Sequence, residues 1–382
     1  MTTQGPEQSP LPDSYEGLYR RAQMSQAGGD LAGAVRLYRR LTERLARLTD
    51  RILERRPELG DLLRQSRMNL VSGLYELGYY AEAIQVLDTM VEAYPDQARD
   101  WRRDRAIMRV AKGDVDAGLA ELRSLAEEEP GDPLGWLALG AEARIAGYLD
   151  ESRAALERAV GAAKAAKDQG QMAAAQYQRF LLFKEMGQLG DAMEAWEAAV
   201  RQEPDVSQSV HELYHALTAA GRYTDALRYV AREENALRAG LQRGLIASHT
   251  GKPIEARDAW SAVAAMNPDS FDSGHAAWVE AVLRLGDPMP ALEWLGANLV
   301  ARVTPRLLVL AGIAWAMQAD ADLAADLFQQ AISVLRRQRP PKKKLDSADW
   351  RLLDSLVDDD EVKQALRPYF AVVETLWSAR SI

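Results

Sequence analysis

A chain of 382 residues is too long for one compact core and ordinarily divides into two or three domains, unless repeats let each unit bury its apolar face against its neighbours. Its 47 Lys and Arg against 56 Asp and Glu leave a net charge of −9, which speaks against nucleic acid or an anionic membrane surface as partner, since both require a basic face. With no cysteine, disulfides, thiolate nucleophiles and cysteine-ligated metal centres are excluded. Alanine, leucine, arginine and glutamate dominate, and almost no stretch alternates apolar and polar residues at period two, so the expected class is all-α.

In chain order, residues 1–13 carry three prolines among polar residues and read as a disordered tail without the basic start and apolar stretch of a signal peptide. No window approaches 18 consecutive apolar residues, so a cytoplasmic protein is expected. A first helical pair surrounds Gly29, and the stripe Leu41, Leu45, Leu48 and Ile52 predicts an elongated second helix and an elongated helix after it. Arginines 39, 40, 44, 47, 51, 55 and 56 crowd the other faces there. Because Glu43, Asp50, Glu54 and Glu58 interleave with them, a solvated capping hairpin is expected rather than a basic docking arm.

The clearest unit begins at Trp136, where Trp136, Leu139, Gly140 and Ala143 form one stripe, Gly147 ends the helix, and Ser152, Leu156 and Ala159 line the next. With that turn glycine as a mark, the pattern recurs at Gly29, Gly78, Gly113, Gly147, Gly187, Gly221, Gly251 and Gly286, at spacings of 49, 35, 34, 40, 34, 30 and 35. A ninth unit has Ala319 at the mark, with Gly312 before it and Ala324, Phe328 and Ala331 after. Five residues past the glycines stand Ala34, Ala83, Gly118, Ser152, Ala192, Ala226, Ala256 and Ala291. Four further on stand Tyr38, Leu87, Leu122, Leu156, Trp196, Val230, Trp260 and Leu295. Pro95, Pro130, Pro204 and Pro268 each follow a mark by 17 residues. Beyond the last repeat, 336–348 is a basic, proline-interrupted linker. Residues 349–382 then read as two capping helices, a short one with Trp350, Leu353 and Leu356 and a final one lined by Phe370, Val373 and Trp377.

Over roughly residues 15–335 this chain resembles the tetratricopeptide repeat: W-x-x-L-G, a turn glycine, then small, large and small residues at a period near 34. The resemblance implies a right-handed superhelical solenoid of about nine TPR-like helix pairs over 14–335 with a C-terminal helical cap. It also implies that the first helix of each pair (helix A) lines a concave groove. Carried over residue by residue, the groove positions are Tyr19 and Gln23; Met68, Ser72 and Tyr75; Arg103 and Ile107; Leu137 and Arg144; Tyr177, Leu181 and Lys184; His211 and His215; Arg238, Leu241 and His249; Glu280 and Arg284; Val309 and Ile313. The sharpest partner-binding set is Tyr19, Met68, Tyr75, Arg103, Arg144, Tyr177, Lys184, His211, His215 and Arg238. Its four cations among aromatics and aliphatics suit a protein or peptide segment with acidic and hydrophobic residues. Arg103 and Ile107 replace the lysine and asparagine with which some family members clamp a C-terminal carboxylate, which argues against a chaperone-tail adaptor.

One segment invites a different chemistry. His211-Glu212-Leu213-Tyr214-His215 matches H-E-x-x-H, in which two imidazoles one helical turn apart bind zinc and the glutamate serves as general base. The segment is in phase with the repeats, however, and Thr218 and Gly221 stand where an extended motif needs glycine and histidine. Gly251-Lys252-Pro253 lacks the serine or threonine of a phosphate loop and reads as a repeat turn. The expected function is therefore a non-enzymatic scaffold or adaptor, or an assembly chaperone escorting a client, with no cofactor and no metal; a zinc metallopeptidase is the alternative.

Overall fold

The computed structural model describes residues 14–337 and 351–378, so the expected tail at 1–13 and linker residues 338–348 lie outside it, as does Trp350. Among the described residues there are 21 α-helices and no strand. They divide into two compact units, residues 1–171 and 172–382.

The first unit contains α1 (Tyr15–Ala27), α2 (Leu31–Leu45), α3 (Asp50–Arg55), α4 (Pro57–Leu77), α5 (Tyr80–Ala93), α6 (Ala98–Lys112), α7 (Val115–Glu128), α8 (Pro133–Ile145) and α9 (Leu149–Ala166). Local chemistry sets their starts. Ser14 Oγ accepts from Gly17 N–H at 2.9 Å, Asp30 Oδ1 accepts from Gly33 N–H at 2.8 Å, and Asp132 caps α8 just ahead of Pro133. At the end of α4, Gly78 has φ 76°, and the Tyr79 N–H reaches back to the Leu74 carbonyl at 2.8 Å. That closure needs a left-handed residue, which glycine adopts without strain. All eight predicted turn glycines have positive φ, the same closure recurs at each of them but Gly286, and Ala319 adopts it at φ 58°.

The small residue after each mark does what its size allows. Ala34, Ala83, Gly118 and Ser152 are buried, as are Tyr38, Leu87, Leu122 and Leu156 one turn later. In the α8–α9 pair the Ser152 hydroxyl donates to the Gly140 carbonyl at 2.7 Å, and a Cβ on Gly140 would lie 2.6 Å from the Leu156 side chain. The helices touch backbone to side chain there, which only residues without bulk permit.

The first pair differs from expectation. Helix α4 is elongated, at 21 residues, but α2 stops at Leu45, and the chain turns through the short α3. Arg56 precedes Pro57 and takes φ −135°, ψ 70°, because proline bars its predecessor from the helical region, so α3 cannot run on into α4. Leu41 and Leu45 pack with Leu18, Leu59 and Leu63, whereas Ile52 is exposed. The extra length of α4 thus covers the end of the first pair.

The second unit takes α10 (Gln169–Glu185) from Met172 onward, then α11 (Leu189–Gln202), α12 (Val210–Ala219), α13 (Tyr223–Val230), α14 (Ala236–His249), α15 (Pro253–Ala264), α16 (His275–Arg284), α17 (Met289–Asn298), α18 (Pro305–Ala316), α19 (Ala321–Arg337), α20 (Arg351–Leu356) and α21 (Asp360–Ser378). Ala192, Ala226, Ala256, Ala291 and Ala324 are buried beside Trp196, Val230, Leu295 and Phe328, while Trp260 is partly buried. Pro204 and Pro268 open 3-10 turns between pairs, as Pro95 does in the first unit. Helix α18 is buried on ten of its twelve residues. A helix apolar all round belongs inside a core, and Leu352, Leu353, Val357, Val362 and Leu366 of α20 and α21 and the loop between them join that core. The side chains of Phe370, Val373 and Trp377 lie outside the described set.

Candidate partner-binding face

In the first unit the predicted residues sit on successive first helices. Tyr19 meets Tyr38 edge-on at 5.9 Å, and the Asn69 amide donates to both hydroxyls, at 3.1 and 3.3 Å. Met68 is 45 % exposed, and Tyr75 packs edge-on to Tyr80 at 5.7 Å. Between α4, α5 and α6 opens a pocket of about 280 Å³ whose walls include Met68, Tyr75, Met90, Trp101, Asp104 and Met108. Trp101, Asp104 and Met108 reach it from one face of α6, being spaced i, i+3, i+7.

Charges on this face differ from the expected pattern. Arg103 is held by Asp100 at 2.9 Å and is not a free steering charge. Its neighbour Asp104 carries no hydrogen bond or ion pair among the described residues, and burial raises its carboxyl above the usual range against the opposing pull of Arg103. Glu142 on α8 is likewise without such a partner; burial pushes it up to about 7, with Arg144 pulling the other way. Burial raises the Tyr75 phenol, and the Glu142 carboxylate adds to the effect.

Glu142 gives a stability prediction. Its folded value lies above the 4.5 of a free glutamate, so its favourable contribution is complete below pH 4.5 and is lost as pH rises through about 7. The Glu142→Gln variant should therefore gain up to about 3 kcal/mol on wild type between pH 5 and pH 8, measured by urea melts of both proteins at each pH. A stability difference that stays constant over that range would show that Glu142 ionises normally.

In the second unit the expected residues are drawn into one another's company. Glu212 accepts from Lys184 Nζ at 2.5 Å and from the Tyr177 hydroxyl at 3.1 Å. Burial raises the Glu212 carboxyl, but the Lys184 ammonium outweighs it and holds it below its ordinary value. Arg238 pairs with Glu233 at 3.1 Å, and Glu233 also accepts from the Tyr214 hydroxyl and the Asn235 N–H. His211 Nδ1 lies 3.0 Å from the Gln208 carbonyl, with burial lowering its pKa, and the His215 ring packs on Tyr214 at 4.7 Å. The buried Glu280 is paired with the partly exposed Arg284 and Arg306, and Leu241, Val309 and Ile313 are core residues. Four of the positions assigned by resemblance to the groove, Leu241, Glu280, Val309 and Ile313, are therefore interior. Helices α16 and α18 are covered on more sides than a regular repeat allows.

The glutamate of the H-E-L-Y-H segment is engaged by Lys184 and Tyr177, and among the described residues no group of three His, Asp or Glu side chains could hold a metal ion. Nor is any helix among them long and apolar enough to cross a membrane.

Repeated helical pairs, each closed by a left-handed turn and locked by a small residue, define a helical-repeat array within each unit. No protein-family model and no curated protein matches the chain. Among solved structures it is similar to a tetratricopeptide repeat protein from Parabacteroides merdae, with 17% identity and a TM-score of 0.42 over 72% of this chain and 99% of that one. It is similar also to the Cut9–Hcn1 hetero-tetramer of APC/C (13% identity, TM-score 0.36, 92% and 76% covered) and to the apo form of RapI (10%, 0.39, 85% and 98%).

Proposed function

We propose that the chain is a non-enzymatic scaffold that holds a segment of a partner protein against the first-helix face of its first unit. The observation that supports this is the open pocket between α4, α5 and α6, lined mostly by apolar residues and with Met68 exposed at it, on a face expected to receive a partner. Concave, largely apolar sites with a few polar groups are where proteins bind ligands. An acidic partner segment finds less support than the sequence suggested, because Arg103, Lys184 and Arg238 are already engaged by Asp100, Glu212 and Glu233. An assembly chaperone would use the same face on a client.

A photo-crosslinking amino acid at Met68, compared in cells with one at the exposed Glu157 on α9, tests the proposal. A discrete protein adduct at Met68 and none at Glu157 is expected. Equal adducts at both positions, or none at Met68, would refute it.

A further inference from the structure

Resting on that reading, we infer that the pocket between α4, α5 and α6 takes a lysine or arginine side chain from an extended segment of the partner: apolar stem against the methionines, cationic head at Asp104. The wall is suited to each part of such a residue. Met68, 45 % exposed, supplies unbranched, polarisable surface, which accommodates a flexible aliphatic stem, and the buried Met90 and Met108 complete the wall. Tyr75 and Trp101 add aromatic surface, against which a guanidinium or ammonium is attracted. Asp104 stands on the same wall with no cation bound to it among the described residues, while Arg103 beside it is occupied by Asp100.

Two further groups are left incomplete. The Trp101 indole N–H is buried, with the residue 7 % exposed, and has no hydrogen-bond partner among the described residues. A buried donor left unpaired is costly. Glu142, also without a cation bound to it among the described residues, acts electrostatically on Tyr75 of the same wall. Salt bridges elsewhere in this unit join arginine to carboxylate between pairs, as Arg99 does with Asp132 and Arg123 with Glu151. Asp104 and Glu142 stand outside that pairing. An acidic segment would meet the desolvated Asp104 carboxylate there and be repelled.

The test uses the full chain, with methionine methyl groups isotopically labelled, and three peptides of sequence Ala-Leu-Xaa-Leu-Ala in which Xaa is arginine, norleucine or glutamate. Titrated at pH 8, the arginine peptide is expected to bind at least about tenfold more tightly than either of the others and to shift the Met68, Met90 and Met108 methyl signals. Asp104→Asn should weaken it by about tenfold and Asp104→Lys should abolish it; the first variant removes a desolvated charge and leaves folding intact. Equal or better binding of the norleucine or glutamate peptide, unshifted methionine signals, or an indifferent Asp104→Asn variant would each overturn the inference. Crosslinking through Met68 without an arginine preference would leave the scaffold reading standing and remove this one. Arginine preference without a crosslinked partner would do the reverse.

Discussion

Replacing Glu280 with alanine is expected to destabilise the second unit by about 3–5 kcal/mol. Glu280 is 1 % exposed; one of its carboxylate oxygens is 2.7 Å from Arg284 Nη2 and the other 2.6 Å from Arg306 Nη2. Taking the carboxylate away leaves two guanidiniums facing a space with no counter-charge, which costs far more than the net value of the intact cluster. The pH dependence follows from the same contacts. Burial works to raise the Glu280 carboxyl, but Arg284 and Arg306 together hold it below the usual range. Its stabilising contribution is present above the unfolded value of 4.5 and is lost as pH falls through the depressed folded value. Glu280→Gln, which keeps the shape, should lose less than Glu280→Ala. Hydrogen exchange resolved by segment, beside a urea melt, reads the effect, and protection unchanged over α16 and α18 would contradict it.

The second large effect belongs to Ala83→Arg, with a loss of about 2–5 kcal/mol. Ala83 is fully buried on α5, in a cluster with Leu70, Leu74 and Leu87. An arginine must either strand its charge there or push the helices apart. Because repeat arrays are held by nearest-neighbour contacts, the damage should centre on α4 to α6. A denaturant midpoint equal to wild type would mean that Ala83 does not occupy the position between the helices.

The repeat was legible because its signals are local. A left-handed turn is a property of one residue, so Gly78 or Gly221 declares itself without knowledge of the rest of the chain, and even Ala319 was placed by register. Ala192 and Trp196 were legible for a similar reason: small and bulky residues separated by one turn serve one contact between two helices. The candidate face was less so. Which side of α16 or α18 meets solvent depends on how many elements cover it, and the covering of α18 by residues near Leu352 and Leu353 is a long-range fact. Arg103 and Lys184 looked like steering charges because nothing in their spacing reveals Asp100 and Glu212 as the groups that occupy them. The stripe of Trp101, Asp104 and Met108 was readable at helical spacing but went unnoticed beside the adjacent arginine.

The all-round burial of α18 has a consequence for the order in which the molecule is made. Its core neighbours include Leu308 and Ile313 on itself and Val357, Val362 and Leu366 some fifty residues downstream. During synthesis the helix leaves the ribosome before the segment that closes over it. For that interval the nascent second unit presents an oily wall to its surroundings, and it finishes its interior only when the last helices arrive.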